Sequence, residues 1–342
     1  MYLSFRWFAE ADPISLAYIR QIPTMEAIVT ALYDVPASVV WDEARLRTLK
    51  QQIEAHDLRF DIVESVPVHD HIKLGRDNRD HLINIYCQNI ALLGRLGVKV
   101  ICYNFMPLFD WYRTDLELPL TDGSTVLSYD HQQLEGIASP WAVTLPAYFP
   151  LEDNPETLKA AYLALSEEEL RENFRYFLER VIPVAEASHV VLALHPDDPP
   201  WSIFGLPRIV KNEEDLARIL AMHPSHHHGL TFCSGSLGAN PSNDLVQIIE
   251  RFGKRIHFVH LRNIHTVSEK SFHETAHPNG AGDLDMVALV RALHRVGYQG
   301  AVRPDHGRMI WGERGKPGYG LYDRALGAVY LRGIWDAITH HR

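Results

Sequence analysis

Residues 300–308 read GAVRPDHGR, and this segment decides the fold. Its apolar start, Gly300 to Val302, predicts a buried strand, and the strand breaks off into Arg303, Pro304, Asp305, His306, Gly307 and Arg308. A stretch rich in glycine and proline, residues 315–320, follows and predicts a loop. Polar side chains that emerge where a buried strand meets a loop are typical of an active site in an α/β fold.

The same transition, from a short apolar strand to a polar residue, recurs along the chain. The predicted strands cover residues 3–5, 27–32, 59–63, 98–103, 190–194, 230–232, 256–259 and 300–302. Segments with helical periodicity alternate with them, and the last runs from 321 to about 339. This alternation predicts a TIM-type (β/α)8 barrel. A doubly wound open sheet is the alternative, but no glycine-rich phosphate-binding fingerprint follows the first strand.

About sixty residues, from 105 to about 165, interrupt the alternation. They are rich in proline, aspartate, tyrosine and tryptophan and show no sustained helical or strand pattern. Loops of this length in a compact domain are usually functional covers or linkers. Aromatic residues such as Trp111, Tyr112 and Phe149 favour an ordered cover. We therefore predict one barrel domain, residues 1–342, with an insertion at about 105–165 that covers the active face.

The composition excludes several classes of protein. The chain has 342 residues, of which 46% are hydrophobic, and its net charge of -10 argues against a nucleic-acid partner. No run of about 18 apolar residues occurs, so no membrane span is expected. Three cysteines are too few for a disulfide framework. We expect a soluble protein in the cytoplasm that acts on a small molecule, and the sequence is compatible with a homo-oligomer.

Four residues with lone-pair donors lie at equivalent positions, at the ends of the fifth to eighth predicted strands. They are His195, Cys233, His260 and Asp305. A single histidine at a strand end is more often structural, and a single cysteine is more often a buried apolar residue. Four aligned ligand types instead favour a metal site. From ligand softness alone, the set suits zinc or ferrous iron before manganese.

Arginines and an asparagine at the same face predict a site for an anionic substrate. Guanidinium groups match carboxylates in bidentate geometry, so we predict that substrate is bound by Arg6, Asn104, Arg262, Arg303 and Arg308. Arg303 has the same strand parity as Asp305, so an ion pair between these two residues is an equal alternative.

His306 follows a proposed ligand, and strand alternation directs its side chain away from Asp305. This placement favours an acid or base, and the alternative is a histidine that orients Asp305. Tyr319 and Tyr322 follow in the last loop and the last helix, where either reaches the barrel mouth. A further histidine cluster, His223 and residues 226–228, precedes a strand and is predicted to be solvated on the opposite face.

Several of these segments together resemble the mannonate dehydratase family. The resemblance covers almost the whole chain and rests on SFRW at 4–7, IVTALYD at 28–34, ESVPVH at 64–69, CYNFMP at 102–107, FDW at 109–111, FCSGS at 232–236, HLRN at 260–263 and RPDHGR at 303–308. The resemblance implies a barrel of the xylose-isomerase-like group. It also implies a carbon–oxygen hydro-lyase of hexuronate (glucuronate) breakdown, which converts D-mannonate to 2-keto-3-deoxy-D-gluconate and water.

The resemblance also implies roles for particular residues. The family's metal, usually manganese or ferrous iron, is held by residues that match His195, Cys233, His260 and Asp305, and this replaces zinc as the expected ion. The catalytic histidine falls on His306, and a loop tyrosine falls best on Tyr319, with Tyr322 as the alternative. Which of the two groups is acid and which is base stays open.

Two other functions compete with this interpretation. The first is a metal-dependent sugar isomerase or epimerase on the same barrel, which typically uses two carboxylate-rich metal sites and a lysine. The second is a catalytically silent sugar-acid binding protein, which would be expected to lose His306 and Tyr319.

Overall fold

A computed structural model describes residues 1–137, 141 and 149–340 of the chain. Its strands are β1 (Tyr2–Arg6), β2 (Met25–Thr30), β3 (Arg59–Glu64), β4 (Val100–Tyr103), β5 (Asp115–Pro119), β6 (Thr125–Asp130), β7 (Val191–Leu194), β8 (His228–Cys233), β9 (Ile256–Leu261), β10 (Ile264–Ser268), β11 (Ser271–Glu274) and β12 (Ala301–Pro304). Its helices are α1 (Leu16–Arg20), α2 (Glu43–Glu54), α3 (Asp70–Lys73), α4 (Arg79–Arg95), α5 (Pro155–Leu163), α6 (Glu167–Ala187), α7 (Glu213–Ala221), α8 (Ser234–Gly238), α9 (Leu245–Phe252), α10 (Met286–Arg295) and α11 (Tyr322–Thr339).

Eight of these strands form a closed parallel barrel. They follow one another in chain order, β1, β2, β3, β4, β7, β8, β9 and β12, and β12 pairs with β1 to close it. Parallel neighbours need a crossover between them, and the helices supply it. The predicted (β/α)8 barrel is therefore confirmed.

The helices cover the barrel through apolar faces that the sequence already shows. In α6, Ser166 and Glu169 form a capping box, which satisfies backbone donors at the helix start. Leu170, Phe174 and Phe177 lie on the face that meets the strands and are fully buried. Burial of each such side chain contributes about 1.5–3 kcal/mol. At the end of α4, Gly97 has a φ of +88°, a left-handed conformation that glycine adopts without strain.

Strand register determines which side chains reach the barrel mouth together. Cys233 on β8 pairs with His260 on β9, and His260 pairs in turn with Arg303 on β12. Paired residues of neighbouring strands point to the same face of a sheet. A sulfur, an imidazole and a guanidinium therefore lie side by side at the carboxyl end of the barrel.

Residues 105–165 contain regular structure that the sequence pattern did not indicate. This segment contains β5, β6 and α5, while residues 138–140 and 142–148 within it lie outside the described residues. Strands β5 and β6 join the hairpin β10–β11, which the sequence did not predict, in an antiparallel sheet of order β10-β11-β6-β5. The pairing of β11 with β6 joins residues more than 140 positions apart, so no local pattern predicts it.

No helix in the described part of the chain is long and apolar enough to cross a membrane.

Candidate metal centre and active site

A pocket opens at the carboxyl ends of the barrel strands, where the sequence placed the site. It is lined by Arg6, Glu64, Ser65, Cys102, Tyr103, Asn104, Asp110, Trp111, His195, Asp198, Arg262, Arg303, Asp305, His306 and Tyr319. Most of these residues end a barrel strand or directly follow one. The structure thus brings together side chains that are more than 300 positions apart in the chain.

Three of the four predicted metal ligands converge beside this pocket. His195, Cys233 and His260 each offer one donor atom, and the three atoms lie within 4.8 Å of one another. Donors that share one ion at roughly 2.0–2.3 Å lie at most about 4.6 Å apart, so the group is close to ligand geometry. One thiol and two imidazoles are donors that first-row divalent metals accept.

Neighbouring groups orient these donors in the way a metal requires. His195 Nδ1 donates to the carbonyl of Pro196 at 2.7 Å, which leaves Nε2 with a free lone pair. Burial lowers the pKa of His195, so the imidazole is held neutral. Ser236 Oγ donates to Cys233 Sγ at 3.1 Å and so helps to fix the position of the sulfur. His260 Nε2 is buried without a hydrogen-bond partner among the described residues. These residues therefore fit a divalent cation.

Asp305, the fourth predicted ligand, lies beside this group but not within it. Its carboxylate oxygens are 3.5 Å from Cys233 Sγ and 3.7 Å from His260 Nδ1. Arg303 at 2.7 Å and Arg262 at 3.0 Å hold it. Burial raises the pKa of Asp305, but these arginines and the neighbouring histidines outweigh burial and hold that pKa well below its usual range. The carboxylate is therefore anionic, as a ligand must be.

A second set of donors shares His260 with the first. Glu64, Cys102 and His260 also offer atoms within 4.8 Å of one another. Glu64 pairs with Arg6 and Arg303. Burial raises the pKa of Cys102 well above its usual value, which keeps the thiol protonated. The set with His195 and Cys233 is therefore the better metal site.

One connected ion-pair network runs through the base of the pocket. It links four guanidinium groups with four carboxylates. Each group pairs with the next in the order Arg6, Glu64, Arg303, Asp305, Arg262. Arg262 then pairs with both Asp198 and Glu274, and these two carboxylates also pair with Arg113. The charges of these eight groups balance. A divalent ion bound with one thiolate adds a single positive charge, and the carboxylate of a sugar acid would neutralise it.

His306 and Tyr319 form a buried pair in the pocket. The Tyr319 hydroxyl lies 2.9 Å from His306 Nε2, and Glu274 contacts the other ring nitrogen, Nδ1, at 2.9 Å. Burial raises the pKa of Tyr319 above its usual value, so the phenol stays protonated. Trp111, from the insertion, packs against the imidazole with ring centres 5.3 Å apart. These contacts give His306 the surroundings of a proton-transfer group.

The expected direction of the His306 side chain is wrong. His306 Nε2 lies 3.9 Å from Asp305 Oδ1, although strand alternation was expected to separate the two side chains. The strand β12 ends at Pro304, so the alternation no longer applies at these two residues. The predicted alternative of an ion pair between Arg303 and Asp305 is confirmed by their 2.7 Å contact.

Arg308 and Tyr322 belong neither to the pocket lining nor to the group of metal donors beside it. Arg308 pairs with Asp323 at 3.0 Å and Asp122 at 2.8 Å and does not join the other arginines. Tyr322 is exposed at the start of α11, where its ring packs against Trp311. Arg308 and Tyr322 therefore do not line the pocket, while Asn104 lines it as predicted and accepts a hydrogen bond from the Met106 amide.

Sequence reasoning did not identify three charged residues of the network. Asp198 follows β7, Arg113 lies in the insertion and Glu274 ends β11. Asp198 belongs to the segment His195-Pro196-Asp197-Asp198, so its position just after a strand-end ligand was an available signal. For Arg113 and Glu274 no such signal exists, because the second sheet brings them to the barrel mouth.

A glycine makes room for the central arginine of the network. A Cβ atom at Gly235, in α8, would lie 2.1 Å from Arg262 Nε. Real Cβ atoms do not approach a nitrogen so closely, so only glycine lets Arg262 take this position.

The histidine cluster lies on the opposite face of the barrel, as predicted, but it is not wholly solvated. His228 begins β8 and is fully buried, and its Nε2 lies 3.0 Å from the carbonyl of Ile219. The predicted solvation is therefore wrong for His228, because the strand starts earlier than its apolar residues indicate.

Comparison with known proteins identifies relatives over the whole chain. The family model of D-mannonate dehydratase (UxuA) matches residues 1–342. The mannonate dehydratase of Thermotoga petrophila is 50% identical, with 99% of this chain and 98% of the relative covered. Mannonate dehydratase 2 of Halalkalibacterium halodurans is 49% identical, with 99% of this chain and 100% of the relative covered.

Comparison with solved structures indicates the same family and the same fold. The crystal structure of mannonate dehydratase from Streptococcus suis serotype2 matches with a TM-score of 0.92 and 45% identity, over 99% of this chain and 95% of that chain. A xylose isomerase domain protein from Planctomyces limnophilus matches with a TM-score of 0.57 and 10% identity, over 99% of this chain and 98% of that chain. The second likeness concerns the fold alone, and it confirms the predicted xylose-isomerase-like barrel.

Proposed function

The chain belongs to the D-mannonate dehydratase family, as its sequence predicted, and we propose from this membership that it dehydrates D-mannonate to 2-keto-3-deoxy-D-gluconate. It is a carbon–oxygen lyase of hexuronate breakdown and depends on a metal ion. One observation carries the assignment to this pocket: the metal-donor group His195, Cys233 and His260 lies beside the His306–Tyr319 pair, among buried guanidinium groups.

The reaction defines what the pocket must do. A proton leaves C2, and the hydroxyl group on C3 leaves as water after it gains a proton. The resulting enol becomes the 2-keto product when a proton is added at C3. The difficult step is the first, because negative charge then spreads onto the carboxylate beside C2, and that charge needs stabilisation.

We propose that His195, Cys233, His260 and Asp305 hold the ion, and that it is manganese or ferrous iron. The ion, when bound, supplies Lewis-acid stabilisation of the charge that develops beside C2. The anionic state of Asp305 and the free lone pair on His195 Nε2 support these ligand roles. The resemblance of the ligand set to that of the family supports the choice of ion.

The substrate carboxylate is bound by arginines of the network. Arg6 and Arg303 line the pocket, and each has a buried Nε without a hydrogen-bond partner among the described residues. Arg262 and Asn104 complete this side of the pocket. Arg308 is not part of the clamp, since its guanidinium is engaged by Asp122 and Asp323.

His306 and Tyr319 carry out the proton steps. Their 2.9 Å hydrogen bond, the burial of both side chains and their position beside Asp305 support this role. The surface position of Tyr322 supports Tyr319 as the tyrosine involved.

The proposal is tested by assaying purified protein with D-mannonate and identifying the product. Treatment with a chelator should abolish activity while the protein stays folded, because a barrel core of this size does not depend on one ion. Added Mn²⁺, or Fe²⁺ under anaerobic conditions, should restore activity. Full activity in metal-free protein would refute the metal role, and conversion of a neutral sugar instead of D-mannonate would favour the isomerase alternative.

Three broader proposals accompany this function. The three free cysteines support a reducing, cytoplasmic location. The contact of Trp111 with His306 supports a single domain in which the insertion of residues 105–165 covers the active face. The third proposal is that the protein forms a homo-oligomer. Measuring the molecular mass of the protein in solution tests it.

A further inference from the structure

We propose that Glu274 is the positioning residue for His306: it accepts the hydrogen on Nδ1 and leaves Nε2 as the proton acceptor that faces the reacting atoms. This inference rests on the proposed function, in which His306 takes part in proton transfer. It goes beyond that function because it assigns a role to Glu274, on the antiparallel sheet. It also assigns which of His306 and Tyr319 is the base and which is the acid.

The contact between Glu274 and His306 is close and fully enclosed. Both carboxylate oxygens lie near Nδ1, Oε1 at 2.9 Å and Oε2 at 3.0 Å. Only 2% of the Glu274 surface and 3% of the His306 surface are exposed. With water excluded, the carboxylate and the imidazole must satisfy one another, so this pair sets the orientation of the ring.

Two groups, Arg262 and Glu274, compete for a hydrogen bond with His306 Nδ1, and this competition determines which ring nitrogen carries the hydrogen. Arg262 Nη1 also lies 3.0 Å from Nδ1, and it would donate if Nδ1 carried a lone pair. A lone pair there, however, would face two carboxylate oxygens at hydrogen-bond distance, which is repulsive. Arg262 Nη1 has another acceptor in Asp305 at 3.0 Å. We therefore place the hydrogen on Nδ1, donated to Glu274.

Glu274 is itself held in place from the opposite side. Arg113 donates to Glu274 Oε1 at 2.8 Å from Nη2 and at 3.2 Å from Nε. Arg113 also binds both oxygens of Asp198, at 2.8 and 3.1 Å. Because Asp198 holds Arg113 and Arg113 holds Glu274, the Glu274 carboxylate has little conformational freedom. A residue that positions a catalytic side chain requires such rigidity.

The tautomer assigns the two proton-transfer roles. With hydrogen on Nδ1, His306 Nε2 has a lone pair, and the Tyr319 hydroxyl donates to it at 2.9 Å. In this state His306 can accept the C2 proton, and Tyr319 can give a proton to the departing C3 hydroxyl. Glu274 then stabilises the imidazolium that forms when His306 accepts the proton.

The decisive variant is Glu274→Gln, which keeps the size of the side chain and removes its charge. The donors of Arg113 and Arg262 compete for the single amide oxygen, so the NH2 group turns toward Nδ1 and the ring hydrogen moves to Nε2. We expect kcat to fall by about 10²–10⁴-fold, with metal content and KM near those of the wild type. Exchange of the C2 proton with deuterated solvent should fall with kcat.

Asp215→Asn is the matched control. Asp215 is also a buried carboxylate held by an arginine, Arg171 at 3.1 Å, but it lies in the first turn of α7 and does not line the pocket. We expect a lower melting temperature and a kcat within about threefold of the wild type. If Glu274→Gln loses stability as this control does but keeps the kcat of the wild type, Glu274 has only a structural role.

The tautomer of His306 can be determined by a measurement that does not depend on enzymatic activity. Histidine-selective ¹⁵N spectra of the protein loaded with diamagnetic Zn²⁺, assigned with His306→Asn, should show hydrogen on Nδ1 of His306. Glu274→Gln should move it to Nε2. Because this measurement on the wild type needs neither substrate nor the variant's folding, it remains decisive if Glu274→Gln is unstable.

Each outcome has a clear meaning. Hydrogen on Nε2 in the wild type, unchanged kcat in Glu274→Gln, or loss of metal as the cause of a lower kcat would overturn the positioning role. If the wild type shows the Nδ1 tautomer but does not dehydrate D-mannonate, the proposed function fails while the assigned contact stands.

Discussion

The Tyr319 hydroxyl and His306 Nε2 lie 2.9 Å apart at the mouth of the barrel, and both side chains are buried. In the resting site, the two groups proposed for proton transfer are therefore hydrogen bonded to each other. Substrate must separate them or bind beside them before either group can exchange a proton with it. This hydrogen bond fixes the orientation of the two side chains relative to each other until substrate arrives.

We predict that His306→Asn abolishes turnover while the metal ion and substrate still bind. Asparagine keeps some hydrogen bonding but cannot exchange a proton near neutral pH, so kcat should fall by about 10²–10⁴-fold. Metal content and the binding of D-mannonate are measured alongside. If the variant loses its metal but keeps the wild-type kcat per bound ion, His306 orients Asp305 and the proton chemistry belongs to Tyr319.

Tyr319→Phe should separate the acid from the base. It removes only the hydroxyl that donates to His306 Nε2, so dehydration should fall while exchange of the C2 proton with deuterated solvent persists. NMR of recovered D-mannonate measures the exchange. Tyr322→Phe is the control, because Tyr322 is exposed on α11, and it should behave as the wild type. Loss of exchange in Tyr319→Phe would assign the base role to the tyrosine.

Cys233→Ser should weaken metal binding and leave the fold intact. A hydroxyl is a poor anionic donor at neutral pH, so the metal dissociation constant should rise by at least about tenfold. Titration of the apo protein with Mn²⁺ measures it. Cys87→Ser is the matched control, since Cys87 lies on α4, away from the pocket, and contacts the Arg180 carbonyl. Equal metal affinity in the two variants would show that Cys233 is a core residue.

Gly235→Ala should displace Arg262. The added Cβ would lie 2.1 Å from Arg262 Nε, so the guanidinium must leave its contacts with Asp305 and Asp198. We expect a loss of about 1–3 kcal/mol in the free energy of unfolding, together with a large fall in kcat/KM. Gly333→Ala, another helical glycine with no atom within 4 Å of its added Cβ, should be neutral or slightly stabilising. Wild-type activity in Gly235→Ala would show that Arg262 can move without loss.

The protein should lose stability on acidification through His228. Burial lowers the pKa of His228 to about 4, below the value near 6.5 of an exposed histidine. The unfolded state therefore binds the proton first, so stability is fully present above about pH 6.5 and declines as pH falls toward 4. The pKa difference corresponds to about 3 kcal/mol in the free energy of unfolding.

His228→Gln should flatten this pH dependence, measured by urea unfolding between pH 7 and 4. The amide can still donate to the Ile219 carbonyl and does not titrate in this range. His56→Gln, at an exposed histidine, is the control and should keep the wild-type slope. An unchanged slope in His228→Gln would show that other groups cause the acid sensitivity.

The barrel could be predicted from local patterns because each of its strands is short, apolar and followed by a polar residue. The same patterns placed His195, Cys233, His260 and Asp305 at one face, since the ends of parallel barrel strands converge. Arg308 shows the limit of this reasoning. It lies in the same segment as Asp305, yet its side chain pairs with Asp122 and Asp323, because the direction of a side chain beyond the strand end depends on its partners.

The sequence by itself determined the barrel, the family and the strand-end residues, because strand periodicity and the polar residues at strand ends are local properties of the chain. Only the tertiary structure decided what surrounds His306. Glu274 lies on β11 and Arg113 shortly precedes β5, and both strands pair with β6, although β11 is distant from β6 in sequence. Neither segment carries a local signal for that pairing, since its stability depends on contacts between side chains that are distant in sequence.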